Sequence, residues 1–339
     1  MTSTLSRLCA VLCALGVTLL TPPPLLADGD VQLVPVVSGR QAPADSEVVV
    51  LCPGLGLRAD AFLSRGAEPG LATRLASSGY RVYLVDPWNT AAASDGGFDG
   101  VVAETFPAIL AKVKAVAGGA PVTFVGHGLC GALPVAAAAD PRGTALVYKW
   151  VALGTRFEWT HLAPRYRLWL DTFAAGERAT PDIVKDALLT GLRPGVGARA
   201  SSLPATLEQD GDIEETMYRH YERSLFREPP AAVIDDLLRW SDAGAMTSEQ
   251  GWVDYTRGLD AVQGPALLLG GMSDGAAPPE DIIPAVDRLG ARISASFRLL
   301  SRANGHREEY GHFGMVVSRH AARDVDQLIV SWIGRGGAL

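Results

Sequence analysis

The sequence predicts an α/β fold, a mostly parallel central sheet with helices on both faces, and three observations carry that expectation. Short apolar runs of strand length alternate with helical stretches, and most of the runs end in Gly, Pro or Asp. A chain of 339 residues that is 48% hydrophobic also buries a large core, enough for one big domain with an insertion or for two small domains.

The elements follow in order. Val48–Cys52 is an apolar strand stopped by Pro53-Gly54-Leu55-Gly56, and Leu71–Ser77 is a helix ended by Gly79. Arg81–Val85 is the next strand, ending in Asp86-Pro87. Thr90–Gly100 is rich in Gly, Ala and Ser and reads as a loop, whereas Phe106–Ala117 has helical periodicity. Val122–Val125 is a strand that enters a sharp turn, and the alanine-rich helix Leu133–Ala139 leaves it. Val147–Leu153, Ala266–Leu269 and Phe297–Leu300 supply further strands, and Ala321–Ile333 is the closing helix.

Between about Phe157 and Val262 the strand signal disappears. Thr180-Pro181 is a helix start, with Thr as cap and Pro at the first helical position. Val233–Trp240, after Pro229-Pro230, has amphipathic helical spacing. The block opens on Phe157, Trp159, Tyr166, Trp169 and Phe173, which either line an apolar pocket or form the block's own packing core.

The N-terminus reads differently. Arg7, the apolar run Leu8–Leu20 and the exit Leu25-Leu26-Ala27 before Asp28 describe a secretory signal peptide over residues 1–27. The expected destination is export, to periplasm or medium, and the apolar run is short for a membrane span. A net charge of −7 argues against nucleic acid as a partner, since phosphate binding needs a basic face. No G-x-G-x-x-G opens a strand–helix unit and no His or Cys cluster has metal-ligand spacing, so no cofactor and no metal are implied.

Five segments in this order carry a resemblance: Cys52-Pro-Gly-Leu-Gly56, Gly79-Tyr-Arg-Val-Tyr-Leu-Val-Asp86, Val125-Gly-His-Gly-Leu-Cys-Gly131, Leu267-Leu-Leu-Gly-Gly-Met-Ser-Asp274 and Tyr310-Gly-His-Phe-Gly-Met315. From about Val48 to its end the chain resembles the α/β-hydrolase superfamily, particularly its lipase/esterase and polyhydroxyalkanoate-synthase-like branch. The resemblance implies a core over 28–156 and 263–339, with 157–262 as a helical lid or cap inserted between strands. It implies ester or acyl chemistry on a small apolar or acyl ligand; the shortness of the N-terminal apolar run separately leaves no integral membrane segment expected once the signal is removed.

Acyl transfer needs a nucleophile, a base, an acid that orients the base, and N–H donors for the oxyanion. By the resemblance, His312 is the base, Asp274 orients it, and the backbone amides of Leu55 and Leu129 are the donors. Glu158 is an alternative acid, His306 a nearby competitor in an exposed turn, and His127 a residue that shapes the elbow. The family's motif is G-x-S-x-G, with the nucleophile at its centre. Here the central residue is Gly128, which has no side chain.

Three readings are open. Gly128 is an emptied nucleophile position, and the protein binds a ligand without processing it. Or Cys130 attacks, from an elbow displaced by two residues, with His312 and Asp274 behind it; Pro134 then falls in the first helical turn. Or Cys52 and Cys130, brought together as the family's strand neighbours would bring them, form a disulfide that pins the two loops.

Overall fold

The computed structural model describes residues 31–39, 42–66, 68–139, 149–161 and 227–339, with isolated positions between 164 and 174. The expected signal peptide, Trp169, Phe173, Thr180-Pro181 and most of the expected lid lie outside these residues.

Strands β1 (Val34–Val36), β2 (Val48–Cys52), β5 (Arg81–Leu84), β6 (Val122–His127), β7 (Lys149–Leu153), β8 (Ala266–Gly271) and β9 (Ala295–Leu300) form one seven-stranded sheet in the order β1-β5-β2-β6-β7-β8-β9. Only β1 runs antiparallel to its neighbour; the other pairings are parallel. A small hairpin, β3 (Ser64–Arg65) with β4 (Glu68–Pro69), stands apart.

The central strands are continuous apolar runs because both faces are covered. Successive residues divide between two cores, as the two-residue period of a strand requires. Val48, Val50, Trp150, Ala152, Ala266 and Leu268 enter one core, while Val49, Leu51, Val151, Leu153, Leu267 and Leu269 enter the other. Residues of helices Phe106–Ala117, Leu133–Ala139, Ala231–Ala243 and Ile283–Gly290 fill the first core. Leu71–Ser77 and the closing helix Gln327–Gly334 serve the second. There Arg65 makes a buried two-pronged pair with Asp326, at 2.6 and 2.8 Å.

One expectation is corrected. Thr90–Gly100 is not a loop: Ala91–Gly100 is helical, started by Thr90, whose hydroxyl accepts the Ala93 N–H at 3.2 Å. The small residues misled because the helix is kinked at Gly97, where the Asp236 carboxylate accepts the Phe98 N–H at 2.7 Å. Helix Ala231–Ala243, which falls in the expected insertion, packs into the main core. Trp240 packs edge-on against Phe98 with ring centroids 5.1 Å apart, and Val233, Ile234 and Leu237 are buried with it. Phe157 and Trp159 belong to the same core, Trp159 lying 5.3 Å from Trp240.

Candidate active site at the carboxyl ends of the strands

In an open parallel sheet the strands deliver side chains and loops to the crevice beyond their carboxyl ends. Here β2 and β6 end side by side, with Cys52 paired in register to Gly126, and His127 stands beside Leu153 at the end of β7. β8 ends at Gly271, and the segment after β9 returns His312 to the same edge. The Ser273 N–H donates to the Tyr310 carbonyl at 3.0 Å and so ties the Asp274 and His312 loops together.

The pair itself is tight. His312 Nδ1 lies 2.9 Å from Asp274 Oδ2, so Nδ1–H donates to the carboxylate, and the lone pair of the neutral ring is on Nε2. Asp274 Oδ1 accepts the N–H groups of Ala276 and Ala277 at 2.9 and 2.8 Å, which fixes the carboxylate and satisfies both oxygens. Both residues are buried. Arg156 holds this loop, donating to the Ala276 carbonyl at 3.1 Å while pairing with buried Asp281.

His127 joins three segments. Its Nδ1 accepts the Gly54 N–H at 3.2 Å, so Nε2 carries the proton and donates to the His312 carbonyl at 2.9 Å. Complete burial, reinforced by the neighbouring His312 ring at 4.4 Å, holds its pKa well below the ordinary histidine value. His127 is therefore a neutral strut between the Gly54 loop, the elbow and the His312 loop.

The strand-to-helix turn has its tip at Gly128. That residue takes φ +54°, and no non-glycine residue described has positive φ, Cys130 included. A Cβ on Gly128 would stand 2.9 Å from His312 Nε2 and 3.4 Å from Gly54 Cα. The tip direction thus points at Nε2 of the histidine, the ring nitrogen turned away from Asp274. The elbow displaced to Cys130 is not the one the chain adopts. Pro134 does not separate the two registers, because Gly128–Ala132 winds as a 3₁₀ turn and the α-helix proper begins only at Leu133. Pro134 falls in the first α-helical turn with the tip at Gly128.

Cys130 is bonded to Cys52, across a Cα separation of 5.8 Å. The bridge links the end of β2 to the turn after β6. Leu55 and Leu129, one on each bridged loop, are each partly exposed between buried neighbours.

Glu158 and His306 are not part of the pair. Glu158 is exposed, and its backbone bridges to Ala245. His306 Nδ1 lies 3.3 Å from the Ser301 N–H and 3.1 Å from its carbonyl, within its own turn.

Sequence reasoning missed Gly154 and Thr155. Gly154, just past β7, has φ +54°, and a Cβ there would meet Met315 Cε at 2.7 Å, Asp274 Oδ2 at 2.8 Å and His312 Nδ1 at 3.1 Å. The Thr155 hydroxyl donates to the Gly128 carbonyl at 2.8 Å and so holds the tip from the next strand. The available signal was a glycine ending an apolar strand, which marks a close approach of other groups.

A family model described as the alpha/beta hydrolase fold matches residues 47–313. The chain belongs to this family. A thermophilic esterase from Thermogutta terrifontis is 14% identical, covering 91% of this chain and all (100%) of its own, with a TM-score of 0.56. A monoacylglycerol lipase from Paleococcus ferrophilus is 16% identical over 90% of this chain and 99% of its own, at 0.55. A bromoperoxidase from Bacillus anthracis is 15% identical over 87% and 93%, also at 0.55. At such identities the likeness is one of fold, and relatives with differing activities share it. No curated protein matches the chain. Among the described residues no helix is long and apolar enough to cross a membrane, and no cluster of His, Cys, Asp or Glu is grouped to hold a metal ion.

Proposed function

We propose that this chain is an exported α/β-hydrolase-fold protein that forms no acyl-enzyme and binds an apolar, acyl-type ligand in the crevice over Gly128. One observation carries the reading: the tip of the elbow, aimed at His312 Nε2, is a glycine. Losing the nucleophile costs about 10⁶ in kcat in a serine hydrolase. The reading in which Cys130 attacks needs a free thiol and a displaced tip, and both the Cys52–Cys130 bond and the positive φ at Gly128 weigh against it. A disulfide suits the oxidising compartment that the expected signal peptide implies.

Equilibrium titration of the full chain with a fluorescent fatty acid tests the binding claim. Saturable binding, displaced by decanoate and weakened by bulky substitution at Leu129, is the expected result; no saturable binding at millimolar ligand would overturn it. Export is checked by the mass of the secreted protein, which should begin at Asp28.

A further inference from the structure

We propose that the retained His312–Asp274 pair acts as a general base on water, so that the crevice hydrolyses activated acyl compounds in one displacement without a covalent protein intermediate. This rests on the reading that no side chain at the elbow attacks. Three observations lead to it.

First, the base is set up. Nδ1 of His312 donates to Asp274 at 2.9 Å, and the carboxylate is pinned by the Ala276 and Ala277 amides. A pair with only a packing role needs no such orientation of the ring. Second, Nε2 has no hydrogen-bond partner among the described residues, and the His312 side chain keeps 10% of its surface exposed. Its lone pair faces the space over the Gly128 backbone, where a side chain would otherwise receive it. Third, Leu55 and Leu129 sit on the two loops that the disulfide fixes to each other, and each is partly exposed between buried neighbours. Their amides are the candidate donors to an oxyanion.

The step balances without a further reactant. His312 Nε2 takes a proton from water as the water oxygen bonds to the acyl carbon, and the carbonyl electron pair moves to oxygen, held by the Leu55 and Leu129 amides. The carbon–oxygen or carbon–sulfur bond to the leaving group then breaks, and the His312 proton goes to the departing alkoxide or thiolate. Asp274 stabilises the imidazolium in between. Water is a weaker attacking group than an activated side chain. The substrate class is therefore esters and thioesters whose leaving group is good, such as aryl or enol esters, ahead of simple alkyl esters or amides.

The test is steady-state hydrolysis of p-nitrophenyl butyrate by the full chain, its His312→Ala and His312→Gln variants, and Asp274→Asn. Thermal melts show which variants fold, and acid-quenched samples are weighed intact. The wild type is expected to exceed the residual of about 10³–10⁴ over water that oxyanion donors and binding alone leave in sites without a working nucleophile and base. Both His312 variants should fall at least tenfold, to that residual rate, and Asp274→Asn should fall at least tenfold as well. The progress curve should show no burst and the quenched protein no added acyl mass. A rate unchanged by both His312 substitutions, a rate no better than buffer, or an acyl adduct on the quenched protein each overturns the proposal. Fatty-acid binding is read separately, so loss of hydrolysis with binding intact sinks only this inference.

Discussion

A side chain placed on Gly128 would project to within 2.9 Å of His312 Nε2, so the histidine and the glycine face each other as base and attacking residue do, with nothing on the glycine to deprotonate. The surroundings of that gap are fully built. Asp274 is satisfied on both oxygens, His127 braces three loops, and a disulfide joins the two segments that flank the crevice.

The bridge should stabilise the fold. It closes a loop of 78 residues, and cross-links of that size typically contribute about 2–4 kcal/mol. Urea unfolding of the Cys52→Ala/Cys130→Ala variant against the oxidised wild type should show that loss, and equal midpoints would contradict it.

Gly154→Ala should harm the pair directly. The new methyl group would meet Asp274 and His312 at 2.8 and 3.1 Å, on a backbone at φ +54°. A stability loss of about 1–3 kcal/mol in urea is expected, together with an at least tenfold fall in any His312-dependent hydrolysis. An unchanged rate would mean that the pair tolerates displacement.

Acid should unfold the protein partly through His127. Its folded pKa is depressed, chiefly by burial, so the unfolded state binds more protons below the ordinary histidine pKa of about 6.5. Stability therefore rises with pH through the window between the depressed folded value and about 6.5, and is lost as pH falls through it. The slope approaches ~1.4 kcal/mol per pH unit. His127→Gln should be less stable at pH 8 yet lack this component of the slope. Parallel pH dependences for the two proteins would exclude it.

Arg65→Met should cost about 3 kcal/mol, because it removes both short bonds to the fully buried Asp326 carboxylate and leaves only the longer pair with Arg74 Nε at 3.4 Å. Arg65→Met/Asp326→Leu should recover much of that loss in the same urea titration. A double variant no better than the single one would show that packing, and not the uncompensated charge, dominates.

The framework was legible because strands buried on both faces leave unbroken apolar runs, and because Leu71–Ser77, Phe106–Ala117 and Leu133–Ala139 carry helical spacing to their ends. Asp274 and His312 could be placed because each follows a strand in a glycine-rich loop. Thr90–Gly100 was misread since its helix depends on a capping hydroxyl and a tertiary bond from Asp236, neither visible in composition. Pro134 could not fix the elbow's register without knowing that a 3₁₀ turn precedes the helix. Gly154 escaped notice because its role is to be small against residues more than a hundred positions away.

The measurement that bears most directly on the central claim is intact mass after incubation with a serine-directed fluorophosphonate, for wild type and Gly128→Ser. The serine Cβ would stand 2.9 Å from His312 Nε2, so the ring must shift to admit it, and the residue sits on a strained φ, yet it restores a hydroxyl facing Nε2. The account predicts an unlabelled wild type and one phosphonyl group per chain on the variant, at residue 128. Stoichiometric labelling of the wild type at the elbow would show that this site holds a nucleophile after all.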